Sequence, residues 1–384
     1  MKSKFKNLKN LISLTKKAYF NKKQGLHDPL FSEKEKKFLS DCINSGYVSS
    51  VGKYVKLFEK KISDYTGSNY SIATNSGTSA LHLSLVSLGV NSNHEVLLPS
   101  LTYVATANAI KYVGATPNFL DIEEENYGVC PKKLKKYLAK TSFKKRGKIY
   151  NKFSKKQIKV LIVVHLYGIS SKIDELRKFC KESKIFLIED AAEAVGTFFQ
   201  GKHLGTFGDL GVLSFNGNKT ITTGSGGMVI TNNKKLAREI FHLSTQAKKN
   251  SKQEHLHDKV GYNYRMSNIS AAIGCGQIDN IKNILRKKRR MHSRFSKFFK
   301  NKFIEVVKEP KSCKSNYWLI IGLLKNFEQK NDLIKKLRDK GIIARSVWRP
   351  LHKLPMFQKC PKDNLTNCNR FFKKAISFPN GPKI

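Results

Sequence analysis

The sequence predicts an α/β layered protein with a mostly parallel sheet, completed by a small C-terminal α+β domain. Three observations carry this. Short apolar runs (SIAT, EVLLPSL, TPNFLDI, VLIVVHLYG, IFLIED, GVLSFN and GGMVIT) recur between about residue 30 and about residue 270. Several are continuously hydrophobic rather than alternating, as expected of strands covered on both faces. Helical segments such as SALHLSLVSLG and KIDELRKFCKESK lie between them, and such alternation supplies the crossovers a parallel sheet requires.

Taken in order, the first 27 residues form a basic, weakly amphipathic segment, read as a packed or surface helix. It has neither the continuous apolar core nor the cleavage site of a signal. In VGKYVKLFEKKISDYTG, Val55, Phe58, Ile62 and Tyr65 recur at helical spacing, and Gly67 stops the helix. The lysine-rich KKYLAKTSFKKRGKIYNKFSKKQIK reads as a short helix followed by a surface loop. After the helical IDNIKNIL and the cluster RKKRR the texture changes. NYWLIIGLL reads as a strand, NDLIKKLRDKG as a helix ended by glycine, and IIARSVW as another strand. The expected division is therefore 1–27, a large domain over 28–275 and a small one over 276–384.

Net charge is the unusual feature: 72 Lys and Arg stand against 28 Asp and Glu, giving +44 and a pI near 10.0. A nucleic-acid binder concentrates its charge in arginine- and aromatic-rich segments, whereas this excess is mostly lysine spread along the chain. Nucleic acid is not the expected partner. The charge reads as solvated helix faces, with attraction of anionic small molecules or of an anionic surface as the alternatives. The seven cysteines (Cys42, Cys130, Cys180, Cys275, Cys313, Cys360, Cys368) are scattered without a CxxC pair. Neither disulfides nor a metal site is expected, and a reducing cytoplasm fits. Cys360 and Cys368 read as surface thiols. No apolar run reaches bilayer-spanning length.

Four pieces fall at strand ends, where open α/β sheets place their ligands. In NSGTSALHLSL, Gly77 permits a tight turn and Thr78 and Ser79 open a helix. This is either a plain helix cap or a phosphate site built from free amides and the helix dipole. In IFLIEDAAEAVG, Asp190 ends a strand at a helix start. It either caps that helix or pairs with a cationic ring nitrogen. Glu193 closes a capping box or reaches a ligand, and Glu189 reads as structural. In SFNGNKTITTGSGGM, Ser214 ends a strand and Lys219 stands alone among small residues. It is either a loop lysine or an amine freed for nucleophilic work by lost solvation. In EVLLPSLTYVATANAI, Tyr103 either packs or stacks on a flat ligand. His165, His257 and His352 each read as structural.

Together these pieces resemble the DegT/StrS-type nucleotide-sugar aminotransferases, pyridoxal-phosphate (PLP) enzymes of the aspartate-aminotransferase fold, fold type I. SGTSALHL, EDAAEA, GKHLGTFGDLGVLSFNGNKTITTGSGGM and VGYNYRMSNI stand in that family's order and spacing, and the match spans nearly the whole chain. VSSVG, ATANAI, HDKVGYNYRM and WRPLHKLPMF look nearest to the branch making legionaminic-acid or bacillosamine-like amino sugars. The resemblance implies that Lys219 is the Schiff-base lysine and that Asp190 binds the pyridine nitrogen. It implies further that Tyr103 stacks on the ring and that Thr78, Ser214 and the amides near Gly77 and Ser79 hold the phosphate. Glu193 would lie near the cofactor's 3-oxygen. Asn263 would reach the neighbouring subunit's cofactor phosphate, hence a homodimer with shared sites. The implied reaction moves an amino group, from glutamate by family expectation, to a keto carbon (C4) of a UDP-, GDP- or otherwise nucleotide-linked 6-deoxy sugar. Two alternatives share the fold: a sugar dehydratase, whose members replace the lysine that this chain keeps, and a non-catalytic regulator.

Overall fold

The computed structural model describes residues 2–249, 254–300, 303–325 and 328–383. The strands form where apolar runs are long enough to be covered on both sides, and helices fill the intervals. In order come α1 (Lys2–Ala18), α2 (Glu33–Ser45), α3 (Lys53–Thr66), β1 (Tyr70–Thr74), α4 (Gly77–Ser87), β2 (His94–Pro99), α5 (Val104–Tyr112) and β3 (Thr116–Leu120). Then follow α6 (Pro131–Thr141), β4 (Ser142–Lys145), β5 (Lys148–Asn151), β6 (Gln157–Val164), α7 (Ile173–Ser183) and β7 (Phe186–Asp190). The short β8 (Phe198–Phe199) and β9 (Lys202–His203) precede β10 (Leu210–Ser214), β11 (Gly227–Thr231), α8 (Lys234–Ser244) and α9 (Asn268–Asp279).

The main sheet has nine strands, seven of them in the order β1-β11-β10-β7-β6-β2-β3. Neighbours from β10 to β3 run parallel, and β11 is antiparallel to both β10 and β1. The hairpin β4–β5 pairs with β6. Here the lysine-rich segment forms strands where the sequence reading expects a loop. Two apolar layers cover the sheet, one including Leu81, Leu83, Ile110 and Ile240, the other Phe58, Leu176, Ala272 and Ile284. Burying one such side chain contributes about 1.5–3 kcal/mol.

The chain continues through α10 (Ile281–Phe299) to β12 (Ile304–Val306), β13 (Cys313–Lys314), β14 (Ile320–Leu324), α11 (Lys330–Asp339), β15 (Arg345–Ser346), α12 (Thr366–Lys374) and β16 (Ala375–Phe378). A second, antiparallel sheet has the order β12-β14-β16-β15. IIARSVW contributes only the two residues of β15. Helix α1 does not stand apart: Leu8, Leu11 and Tyr19 share an apolar cluster with Phe295 of α10 and Ile320 and Phe378 of the small sheet. Helix α9 runs through residue 275, where the sequence reading divides the domains. A third, three-stranded sheet β13-β8-β9 and a buried asparagine are among the ties between the two parts. Strand β13 pairs with β8. Asn316 donates through Nδ2 to the carbonyls of Glu193 and Val195 and to Thr220 Oγ1, each at 2.9 Å.

Two further expectations change. No helix follows Asp190; residues 191–197 form turns, and Asp190 Oδ1 accepts the N–H of Ala192 at 3.2 Å instead of capping a helix. Cys368 is fully buried rather than a surface thiol.

Glu189 is structural, as expected. Its carboxylate is buried and accepts from His165 Nε2 (2.9 Å) and from the amides of Gly205 (2.8 Å), Phe207 (2.6 Å) and Gly208 (2.7 Å). Glu189→Ala strips these buried donors of their acceptor, and we expect a loss of about 3 kcal/mol or more, measured by denaturant unfolding. A change under about 0.5 kcal/mol, ordinary for a surface site, contradicts this role.

Candidate active site

Four segments meet beyond the C-terminal ends of the parallel strands, around a cleft of about 410 Å³. That is within the range of small-ligand sites. The first is the start of α4. Ser76 caps the helix, its Oγ accepting the Ser79 N–H at 3.0 Å, and its carbonyl takes the Ala80 N–H at 3.1 Å. Gly77 and Thr78 line the cleft, and α4 offers their amides no carbonyl. Gly77 lies so close to β10 that an added Cβ would sit 3.0 Å from Ser214 Cβ. Gly227 of β11 meets the same constraint, since a Cβ there would fall 2.4 Å from the carbonyl of Ser76. These contacts set the helix start against the sheet.

The second segment is the end of β7. Register places Asp190 between Val164 of β6 and Val212 of β10. Its Oδ2 accepts from Thr106 Oγ1 at 2.8 Å. Burial pushes the Asp190 carboxyl up from the usual carboxylate range, against the pull of Thr106, the Ala192 amide and Lys219. Glu193 lies one turn further on. Its Oε2 accepts the Tyr167 N–H at 2.6 Å, and its Oε1 accepts from Trp348 Nε1 at 3.3 Å. Tyr167 holds a left-handed backbone, φ +55°, which costs a non-glycine residue about 1–2 kcal/mol. That conformation accompanies the amide's bond to Glu193.

The third segment carries Lys219. Its Nζ lies 4.0 Å from Glu193 Oε1 and 4.1 Å from the centre of the Trp318 ring. Burial holds its pKa below the ordinary lysine value, partly offset by Glu193 and Asp190. Glu193 shows the mirror effect: burial raises its pKa and Lys219 opposes that. A desolvated amine with a carboxylate in reach can shed its proton and act as nucleophile or base.

The fourth segment comes from β15 and from the chain flanking the small sheet's strands. Trp318, Arg345 and Trp348 complete the lining. The rings of Tyr167, Trp318 and Trp348 are nearly parallel, with centroids 5.9–6.4 Å apart. Tyr103 is 52% exposed, and its ring lies 5.2 Å from that of Trp348.

Of the residues singled out from the sequence, Gly77, Thr78, Tyr103, Asp190, Glu193, Ser214 and Lys219 all line this cleft. Ser79 and Asn263 do not. The Ser79 amide is used in the cap, and its hydroxyl donates to Asn75 Oδ1 at 2.6 Å. Asn263 is exposed, and its carbonyl accepts from Asn75 Nδ2 at 3.3 Å. His165 is tied to Glu189, His257 to the Gln246 carbonyl and His352 to Ser100. Sequence reasoning missed Thr106, Tyr167, Trp318, Arg345 and Trp348. One signal was available for two of them: the chain has only 2 tryptophans, and both lie here. The residues fit PLP: free helix-start amides for a phosphate, a carboxylate at the sheet edge for a ring nitrogen, and an amine for a carbonyl carbon. Among the described residues no group of three or more His, Cys, Asp or Glu could hold a metal ion, and no helix is long and apolar enough to cross a membrane.

Comparison with known proteins agrees with this arrangement. Residues 29–384 match the model of the DegT/DnrJ/EryC1/StrS aminotransferase family. The chain is 38% identical over 334 residues to the GDP-perosamine synthase of Escherichia coli O157:H7, covering 87% of each protein. It is 33% identical over 351 residues to the UDP-4-amino-4,6-dideoxy-N-acetyl-beta-L-altrosamine transaminase of Campylobacter jejuni strain 81-176, covering 89% of this chain and 87% of the relative. Among solved structures, the PLP form of Spr1654 from Streptococcus pneumoniae superposes with a TM-score of 0.84 at 25% identity, covering 94% of this chain and 95% of that one.

The Lys219–Glu193 contact has a pH consequence. Glu193 raises the Lys219 pKa, so Glu193→Gln should lower it further; the amide oxygen can keep the shorter bond from Tyr167 while the weaker one from Trp348 is lost. The rate at which apoprotein captures PLP, followed by visible absorbance, should rise with pH through that pKa. In the variant the rise should move to lower pH; an unmoved or upward-shifted midpoint refutes the coupling.

Proposed function

The chain belongs to the DegT/DnrJ/EryC1/StrS aminotransferase family, a PLP-dependent family of nucleotide-sugar aminotransferases, and from that premise we propose its particular reaction. It moves the amino group of glutamate to the C4 keto carbon of a GDP-linked 6-deoxy sugar, in the cytoplasm, for assembly of surface polysaccharide. The observation that carries the reading is the placement of Lys219. Its buried amine shares one cleft with Asp190, Glu193 and the free amides at the start of α4. Similarity to proteins named GDP-perosamine synthase at 38%, 36% and 33% identity supports the nucleotide. The 4-amino-4,6-dideoxy sugar in the name of the Campylobacter relative supports the carbon. That same relative favours a second reading, a UDP-linked substrate.

Bound in the cleft, PLP supplies an electron sink for the electron pair left when the donor's Cα–H bond breaks. The Gly77 and Thr78 amides and the Ser214 hydroxyl bind its phosphate. Asp190 keeps a proton on the ring nitrogen, and Thr106 fixes that carboxylate's orientation. With PLP bound, the Lys219 amine would take the proton from the donor's Cα and deliver it to C4′. Such proton transfer contributes roughly 10²–10⁴-fold. Glu193 tunes the Lys219 amine, and Trp318 and Trp348 keep water from it. In the second half-reaction the same residues work in reverse on the keto sugar. Two copies of the chain assemble, with Asn263 serving the partner's site. The exposure of Asn263, Val51 (69%) and Val260 (82%) supports such an interface.

Adding glutamate to the yellow holoenzyme should bleach its visible absorbance. Supplying GDP- and UDP-linked 4-keto-6-deoxy sugars should then restore the colour, with the amino sugar identified by mass and NMR. Lys219→Ala should abolish turnover while PLP stays bound non-covalently. Near-normal transamination by that variant sinks the lysine assignment, and a spectrum indifferent to glutamate and other amino donors would mean a non-catalytic regulator.

A further inference from the structure

One surface of the molecule is not used by this chemistry. Residues 1–27 contain eight Lys or Arg and residues 280–304 contain ten, one of which, Lys288, is buried; neither stretch has Asp or Glu. The fold joins the two, because α1 packs on α10 through Leu8, Leu11, Tyr19 and Phe295. Beside this junction lies a groove of about 560 Å³, lined by Lys287, Arg290, Arg294, Lys297, Phe20 and Phe298, among others. Lys287, Arg290 and Lys297 have no carboxylate partner among the described residues. In this respect they differ from Arg289, which is paired with Glu309 at 2.7 Å.

A second observation is independent of charge. Phe20 ends α1 in a left-handed backbone, φ +55°, and Asn21 follows at +57°. The Asn21 N–H closes on the Lys16 carbonyl at 2.8 Å, so Phe20 holds the helix-terminal position that glycine ordinarily takes. A bulky residue there is strained, yet its ring is not buried; it is 52% exposed. Arg294 stacks 3.7 Å from that ring and donates to the carbonyls of Ala18 and Lys17 at 2.9 and 3.0 Å. The aromatic is thus held outward among cations. Strain kept at an exposed aromatic points to a use outside the fold.

We propose that this α1–α10 face docks on a bilayer surface containing anionic phospholipid, the cations meeting headgroup phosphates and Phe20 entering the interface. Charge complementarity selects an anionic partner, and the outward phenyl ring selects one with an apolar layer beneath its charge. A nucleic acid offers charge, but its reading of this face would not need Phe20 and would follow total charge.

The test uses the full-length holoenzyme and sedimentation with vesicles of phosphatidylcholine, with or without phosphatidylglycerol. Binding should require phosphatidylglycerol and weaken with salt. The triple change Lys287→Glu, Arg290→Glu, Lys297→Glu should weaken it about a hundredfold, at roughly fivefold per cation lost from the surface. Lys132→Glu, Lys135→Glu, Lys136→Glu on α6 alters net charge equally but lies on another helix, and should cost under about tenfold because the per-cation attraction fades beyond a Debye length from the bilayer. Phe20→Ser should weaken binding severalfold with no change of charge. Both triples should retain transamination in solution, which shows that they fold. Equal loss from the two triples, undiminished binding by Phe20→Ser, or equal binding to phosphatidylcholine alone overturns the proposal.

Discussion

The structure turns on one electrostatic constraint: an amine must be buried without being locked into its charged form. Water would keep Lys219 protonated, and a tight ion pair would do the same. The protein uses neither. Glu193 stands 4.0 Å from Nζ, outside hydrogen-bond length, and the Trp318 ring covers another side at 4.1 Å. Desolvation then outweighs the two nearby carboxylates, and the amine's pKa falls. This balance requires Glu193 to stay where it is. The Tyr167 amide and the Trp348 indole hold it there, one from the turn after β6 and one from beside the small sheet.

Neighbouring carboxylates on β7 show how strand geometry assigns roles. Successive residues of a strand face opposite ways, so Glu189 and Asp190 cannot share an environment. Glu189 accepts four donors and organises the loop from Gly205 to Gly208. Among the described residues the Asp190 carboxylate accepts from Thr106 and Ala192 alone and keeps capacity for a ligand. A carboxylate filled with donors is structural. One left partly unfilled, buried and facing a cleft is available for chemistry.

This difference explains what was legible in the sequence. The seven strands of the main path were readable because apolar runs buried on both faces leave a signal independent of tertiary detail. Lys219 was readable because an isolated lysine among glycines is locally odd. Asp190 was placed correctly, but the helix expected after it is absent, since small residues permit turns as easily as a helix start. Ser79 was overrated because its amide and hydroxyl are used within the cap, a detail that depends on Ser76 and Asn75. The residues from the C-terminal part left no local signal beyond the rarity of tryptophan. Trp318, Arg345 and Trp348 reach the cleft through long-range contacts such as those of Asn316 and the β13–β8 pairing, and no local periodicity encodes them.

The chain's charge also acquires a division of labour. Within the cleft Lys219 and Arg345 face Asp190 and Glu193, so the formal charges nearly cancel despite a net +44 over the molecule. Local binding of a phosphate therefore cannot rely on a bath of lysines. In the proposed reading it falls to the directed N–H groups at the start of α4, whose orientation the helix fixes. The surplus lysines lie mostly at the surface, where screening confines their effect to about 10 Å at ordinary ionic strength. They hasten the arrival of anions without specifying them. Specificity falls to the rigid groups, and the +44 describes the surroundings of the site rather than its chemistry.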